Sequence, residues 1–476
     1  VRDRAGKAVP DATIEAQAKQ EQLRKEFSRW AWDDAERTTL LGRRYNDAMN
    51  ATALAVYDGS HLQLPGMLDA WREKLDPHQI NAIWRAIVSG NTYVGHTMGA
   101  GKTVVLSAIA MEYRRMGLAK KPIIVIPKQT LSDYSRFAEF YPNAKVLIGT
   151  KESTEGPARK QFMAKIATGD WDAIIVTRDA MKRMPASHQA WKEHISEELA
   201  ALKEVAANED AEKVNEGKRK GRLSDLAKKI ARAEERLQDV QKRIDAAKDT
   251  GLTWDDLGVD MLIVDEAHGY RKMQIATQID QVAGVPTGAG SDRSNDLFIK
   301  ARAISKATPG RNLVFASGTP LVNSIAELYI LQRFLQPEAL KMAGVEHFDA
   351  WASTFGYIST QFEADVTGTK IKAKRRFAEF RNLNGLIQLF RSIMDVKTAK
   401  DLNLPTPPVT GGEADVVQVD AGEALAAFIQ TLAARVTALN PRDKKADNML
   451  LISTDGRKAA LDLRLVGQGS GGQKIK

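Results

Sequence analysis

The sequence predicts an α/β protein: a doubly wound parallel sheet with an inserted antiparallel helical hairpin and helical flanking regions. Three observations predict it. Short apolar runs of strand type alternate with helical patterns, the rhythm of right-handed βαβ units. A glycine-rich loop, Gly95 to Thr103, follows one such run (Tyr93-Val94) and opens onto a helical pattern. A seam of apolar residues in steps of three and four interrupts the rhythm within residues 187–250.

The loop reads Gly95-His96-Thr97-Met98-Gly99-Ala100-Gly101-Lys102-Thr103. Strand, glycine-rich loop and helix, in that order, are the context of a phosphate-binding loop. Gly99, Ala100 and Gly101 bring backbone N–H groups to phosphate oxygens, with no Cβ to obstruct at the two glycines. Lys102 is expected to neutralise the β- and γ-phosphates of ATP, and the Thr103 hydroxyl to ligate Mg²⁺. The fit to G-x-x-x-x-G-K-[ST] is imperfect, because His96 stands where the first glycine belongs. A second stretch supports the reading. Met261-Leu262-Ile263-Val264 is an apolar run with Asp265-Glu266-Ala267-His268 at its end. Ligands of an open parallel sheet bind outside the carboxyl ends of its strands, so one nucleotide is expected to touch both motifs. Asp265 would hold Mg²⁺ through water, and Glu266 would polarise the attacking water.

Composition narrows the class. The 476 residues are enough for two cores, and 43% apolar and 27% charged residues are ordinary for a globular protein. No apolar run approaches a membrane span, so no membrane partner is expected, and the N-terminus is not of signal-peptide type. With no cysteine there are neither disulfides nor thiolate metal sites. The seven histidines are scattered, which argues against a metalloenzyme. A net charge of +9 favours a polyanionic partner such as nucleic acid, a solubility charge being the plainer alternative. The first residue is Val1 and the last stretch is Gly-Ser-Gly-Gly-Gln-Lys-Ile-Lys, and we read the chain as a piece of something longer.

In chain order, residues 1–74 are mostly helical (Glu15–Ala31, Ala35–Met49), with a turn at Tyr57–His61 in which His61 reads as a surface residue. Gln79 leads an amphipathic helix, Ile80–Ser89. Just ahead of the phosphate loop, its amide can pair with the adenine edge as both donor and acceptor. Lys121–Pro127, Ala144–Ile148 and Trp171–Thr177 are further strands. Leu223, Leu226, Ile230, Ala233, Leu237, Val240, Ile244 and Ala247 form the seam of one hairpin arm; Ile195, Leu199, Leu202 and Ala206 form the other, with a tip at Asn215-Glu216-Gly217. The hairpin is either a spacer or an arm that contacts DNA or a partner, as the basic Lys218-Arg219-Lys220 suggests. Residues 284–294 read as a loop, and Gly288-Ala289-Gly290 within it as no nucleotide motif. Arg311–Pro320 is another strand with a polar end. Residues 324–401 read as helical, Leu404–Pro408 as a stiff linker, Ala414–Val419 as a strand and Ala421–Leu439 as a helix.

The ordered set resembles the motifs of superfamily 2 helicases and translocases in their Snf2-like, DEAH-box form. Gln79 is similar to the Q-motif glutamine. His96 to Thr103 resembles motif I, whose Snf2 form also lacks the first glycine. Asp265 to His268 resembles motif II, and Ser317-Gly318-Thr319-Pro320-Leu321-Val322-Asn323 resembles motif III, which couples hydrolysis to movement. Pro127-Lys128-Gln129-Thr130 and Thr177-Arg178-Asp179 fall at motifs Ia and Ib. The resemblance implies that Lys128, Gln129, Thr130, Thr177 and Arg178 contact the phosphate backbone of double-stranded DNA. It also implies a catalytic set of Lys102, Asp265, Glu266 and His268, a coupling set of Ser317, Gly318 and Thr319, and ATP with Mg²⁺ as ligands. The implied organisation is a helical extension (1–74), a RecA-like first lobe in two parts (75–186 and 251–323), a coiled-coil hairpin inserted between them (187–250), a helical Snf2-like segment with linker (324–410), and the start of a second RecA-like lobe (411–476).

A further resemblance covers nearly the whole chain. Tyr57–His61, Phe348-Asp349-Ala350-Trp351, Asp447–Leu450 and Thr454–Leu461 look like the helicase part of DarB-like antirestriction proteins, which join a DNA adenine methyltransferase to a helicase. It implies a bacterial cytoplasmic setting or carriage in a phage particle, a methyltransferase domain in the parent protein, and a missing second lobe as partner. No Gln-x-x-Gly-Arg-x-x-Arg of motif VI follows residue 411. Without an arginine supplied in trans, phosphoryl transfer loses on the order of 10³-fold or more, so this chain alone is expected to bind ATP·Mg and turn it over slowly. Two rival readings stand beside this one: a strand-separating or RNA-dependent ATPase on the same fold, and a scaffold module with a vestigial or regulatory ATP site.

Overall fold

The computed structural model describes residues 25–49, 55–211, 216–246, 251–277, 290–319, 324–364, 371–402, 422–439 and 447–467, with single positions at 19, 22, 23, 279, 282, 283 and 285. Two compact units emerge: residues 28–359 with 375–404, and residues 1–27, 360–374 and 405–476.

The larger unit is built on seven parallel strands. They are β1 (Thr92–His96), β2 (Pro122–Ile126), β3 (Val146–Gly149), β4 (Ala173–Thr177), β5 (Met261–Val264), β7 (Leu313–Ala316) and β10 (Met394–Lys397), in the order β10-β1-β7-β5-β2-β4-β3. Five of the seven are buried along their whole length, as strands covered on both faces must be. Side chains alternate between faces. Tyr93, Ile123, Val125, Leu262, Val264, Leu313 and Phe315 enter one core. Val94, Ile124, Ile126, Met261, Ile263, Val314 and Ala316 enter the other. Helices α1 (Pro77–Ser89) and α2 (Lys102–Arg115) cover the second face through Ala82, Ile83, Leu106 and Ile109. Helices α5 (Asp292–Ala307) and α6 (Ala326–Leu335) contribute Phe298, Ile304, Tyr329 and Phe334 to the first.

Between β4 and β5 the chain leaves the sheet as the expected antiparallel hairpin, α3 (His188–Ala211) and α4 (Glu216–Ala246). Glu198 faces Arg236 and Lys203 faces Glu234, so one number falls as the other rises. Leu202, Val205, Leu226 and Ala233 are its buried seam. Glu216 and Gly217, expected at the tip, belong to α4, and Asn215 lies outside the described residues. The hairpin is tied down near its root: Gln274, a few residues after the Asp265-Glu266 turn, donates to Glu198 and accepts from Arg236.

Residues 324–401 depart from the helical expectation. Three strands occur there: β8 (Gly356–Ala364), β9 (Ile371–Phe380) and β10. β9 pairs with the two-residue β6 (Val282–Ala283) at Val282↔Arg375. β10 adds to the open side of β1, with Val94 opposite Asp395 and His96 opposite Lys397. As an edge strand it alternates polar and apolar residues, so it lacks the continuous apolar signature of the inner strands. The predicted loop at 284–294 also ends early, because Ser291 is the N-cap of α5. The expected strand Ala414–Val419, the linker Leu404–Pro408 and Gly288-Ala289 lie outside the described residues. In the smaller unit, helices Glu423–Ala438 and Met449–Leu461 pack together, Phe428 and Ile452 are buried, and Arg435 pairs with Asp447 and Asp455 at 2.8 Å each. No described helix is long and apolar enough to cross a membrane.

Trp351 anchors the outer part of the first core. Its ring is fully buried against Phe348, Phe355 and Phe377, and its indole N–H donates to Gln332 Oε1 at 2.7 Å. Trp351→Ala is expected to cost about 3–5 kcal/mol through the cavity and the stranded amide oxygen. The check is a lower urea midpoint with unchanged slope.

Candidate nucleotide-binding site

The site begins one helix before the phosphate loop. Asp76 and Gln79 form a capping box at the start of α1, with Gln79 Oε1 accepting from the Asp76 N–H at 3.0 Å. The other end of the same amide, Nε2, donates to the Ala100 carbonyl at 3.1 Å, and His78 Nε2 lies 3.2 Å from that oxygen. Gln79 is therefore engaged at both ends with the protein itself. A Cβ on residue 101 would sit 2.2 Å from Gln79 Nε2, and Gly101 has φ +72°, so only glycine meets both demands. Gly101 is also the N-cap of α2 and gives no side-chain cap, which leaves the first N–H groups of a 14-residue helix available to an anion.

Lys102 Nζ donates to the carbonyls of His96 and Thr97, each at 3.0 Å. Burial lowers its pKa, and the charges of Glu266 and Asp265 work against that. His96, the departure from the loop pattern, is wholly buried, and its Nε2 meets Asp395 Oδ2 at 2.8 Å. Burial would raise the Asp395 pKa, but the His96 hydrogen bond and charge, with Lys397 and Arg85, hold it below its ordinary value. The Thr97 N–H donates to the Lys397 carbonyl at 2.9 Å, so β10 grips the loop twice.

Asp265 and Glu266 leave β5 on the same sheet edge. Asp265 is 5% exposed; its Oδ1 accepts from the Glu266 N–H at 2.9 Å and its Oδ2 from the Tyr134 hydroxyl at 3.2 Å. Burial, then the neighbouring Glu266 charge, raises its pKa from 3.8 to about 6. A partly desolvated carboxylate facing a lysine is a fitting donor for a hard cation. Thr103, half-buried at the start of α2, is the other candidate ligand. Among the described residues no cluster of three or more His, Asp or Glu forms a metal site of its own. Glu266 has a left-handed backbone (φ +51°). Its Oε2 accepts from Ser317 Oγ at 3.1 Å and lies 2.8 Å from His268 Nδ1, which is 3.0 Å from the same Oγ. The Thr319 N–H also reaches Ser317 Oγ, at 3.2 Å, and Gly318 lies against the His96 carbonyl and the Met98 N–H. Pro320–Asn323 lie outside the described residues.

The five residues expected on DNA are placed differently from one another. Lys128 and Gln129 are exposed. Thr130 Oγ1 donates to the Pro127 carbonyl at 3.1 Å, and buried Thr177 accepts from the Ala180 N–H at 3.2 Å as a helix cap. Arg178 turns inward and donates to the Glu266 carbonyl. Tyr134, Asp395 and Arg271 are site residues that sequence reasoning missed. Arg271 bonds the His268 carbonyl at 2.7 Å and Glu327 at 2.8 Å.

The probable helicase domain family matches residues 84–398. The chain belongs to this family. A domain of unknown function matches residues 2–51 of the same helicase-domain chain. Defense against restriction protein B of Escherichia phage P1 is 25% identical over 422 residues, 80% of this chain and 18% of that protein. The helicase-domain chain thus spans less than a fifth of that relative's length. Among solved structures it is similar to the Sulfolobus solfataricus SWI2/SNF2 ATPase core in complex with dsDNA, at 13% identity and TM-score 0.37, covering 86% of this chain and 62% of that one. The same ATPase core domain in a second structure gives 13% identity, TM-score 0.35, and 87% and 64% coverage. The family match bears out the resemblance to helicases, and the phage relative the resemblance to DarB-like proteins.

The Asp265 pKa makes a stability prediction. A folded pKa above the unfolded one favours folding below about pH 4, and that contribution is lost as pH rises through about 6. Without nucleotide, Asp265→Asn is expected to exceed the parent chain in stability at pH 8 by on the order of 2 kcal/mol and to lose that advantage at pH 4. Thermal melts at pH 4, 6 and 8 check it.

Proposed function

We propose that the chain is the first motor lobe, with its helical insertion, of an ATP-driven double-stranded DNA translocase or helicase. Its parent would be a larger phage- or plasmid-borne antirestriction or DNA-modification protein. One observation carries the reading: the phosphate loop, the Asp265-Glu266 turn and Ser317 leave the carboxyl ends of β1, β5 and β7, with β7 between the other two. The phage relative, named for defense against restriction, supports the biological setting.

The triphosphate would lie on the glycine loop and the α2 N-terminus, with Lys102 released from the His96 and Thr97 carbonyls to meet the β- and γ-oxygens. Mg²⁺, held by Thr103 and through water by Asp265, would neutralise charge on the phosphates. Glu266 would take a proton from water as the water oxygen bonds to the γ-phosphorus and the bond to the β–γ bridging oxygen breaks. For that it must exchange its bonds to Ser317 and His268, which makes motif III the natural place for coupling to movement. A second lobe would close over the nucleotide and supply arginine, and cycles of closure would step the protein along phosphates. The complete set of Lys102, Thr103, Asp265 and Glu266 speaks against a vestigial site.

Lys102→Ala is expected to weaken binding of a fluorescent ATP analogue at least tenfold. Glu266→Gln is expected to keep that affinity while single-turnover hydrolysis drops to background; an unchanged hydrolysis rate would remove Glu266 from the role of base. Duplex binding should be independent of sequence, with log K falling linearly in log salt. An affinity flat between low and moderate salt contradicts phosphate contact, and comparing duplex, single-stranded DNA and RNA as activators separates translocase from helicase.

A further inference from the structure

Arg178 stands at the end of β4, where a basic residue reads as a phosphate contact. Its side chain goes elsewhere. β2 separates β4 from β5, and the long arginine crosses that interval to reach the Asp265-Glu266 turn. Its Nη2 donates to the Glu266 carbonyl, which also accepts from the Gly269 N–H at 3.1 Å. The guanidinium lies 5.7 Å from the centre of the buried Tyr270 ring. A Cβ on residue 269 would fall 2.8 Å from Arg178 Nη1, so Gly269 leaves the space the guanidinium occupies.

What Arg178 grips is a strained residue. Glu266 is one of three non-glycine residues with positive φ among those described. Such a conformation persists only where neighbours over-determine it. At Glu266 they do: the N–H bonds the Asp265 carboxylate, the carbonyl takes Arg178 and Gly269, and the carboxylate takes Ser317 and His268. The backbone turn sets where the carboxylate points. We propose that Arg178 is a positioning residue for the general base, holding Glu266 in its left-handed turn from the βα loop two strands away, and is not a ligand of nucleic-acid phosphate. This rests on the reading of Glu266 as the base.

The test uses the whole chain and three measurements: single-turnover ATP hydrolysis with protein in excess, affinity for a fluorescent ATP analogue, and duplex DNA affinity against salt. Arg178→Ala is expected to slow hydrolysis at least tenfold, leave nucleotide affinity within twofold, and leave the salt slope unchanged. Arg178→Lys keeps one donor and is expected to recover part of the rate, which also covers poor folding of the alanine variant. Nucleotide affinity separates this from general destabilisation, because a destabilised chain loses binding and hydrolysis together, and an Arg178→Ala urea midpoint close to the parent's checks the fold directly. Hydrolysis within twofold of the parent overturns the proposal. So does a salt slope shallower by about 0.9 with hydrolysis intact, the signature of one lost phosphate contact. Failure of the underlying functional reading is separate: it appears as nucleotide binding indifferent to Lys102→Ala.

Discussion

The side-by-side carboxyl ends of β1, β7 and β5 are the constraint on which the site depends. Val94 lies opposite Ala316, and Val264 opposite Phe315, so β5 and β7 end within a residue of each other while β1 runs two residues further, to His96, where it pairs with β10. Two strand spacings, about 10 Å, separate the phosphate loop from the Asp265-Glu266 turn. Ser317 fills the interval between them. The same apolar packing that holds the strands in this register strips water from Lys102 and Asp265, lowering one pKa and raising the other. Each group then gains from an opposite charge brought between them. The sheet thus stabilises itself by burial and leaves its polar edge under-solvated, as a binding edge should be.

Much of this was legible because its signals are local. The inner strands are continuous apolar runs. The loop glycines carry backbone conformations that other residues resist, and Asp265-Glu266 follows its strand directly. Residues whose partners lie far off in sequence were not legible. Tyr134 touches Asp265 from 131 positions away and belongs to no motif. β10 has edge-strand chemistry, and β9, rich in Lys and Arg, gives no strong apolar signal in a stretch that reads as helical. Gln79 shows a subtler limit: its position beside the glycine-rich loop was readable, but not that its amide already spans from the α1 cap to Ala100. Arg178 is similar, since only the strand order reveals that a residue ending β4 can reach the turn after β5.

The hairpin changes its meaning once its root is seen. A spacer needs no fixed attachment, but here Gln274 is clasped by Glu198 and Arg236, three residues from Arg271, which holds the His268 carbonyl. The 31-residue second arm is therefore joined by side-chain contacts to the segment that carries the Asp265-Glu266 turn. Among the described side chains its seam buries Leu202, Val205, Leu226 and Ala233, and the attachment at Gln274 adds to that packing.

The clasp between His96 and Asp395 spans 299 positions of sequence. At a synthesis rate of about 5–20 residues per second, the nascent phosphate loop waits on the order of 15–60 s for its anchor to emerge from the ribosome. Throughout that interval the side of β1 that β10 will cover, Tyr93 to His96, is an unpaired strand edge of the kind that templates misassembly. Completion of β10 both closes that edge and seats the loop. A ribosome-bound chain stopped before residue 394 would hold Lys102, Thr103, Asp265 and Glu266 and lack the strand that grips the glycine loop.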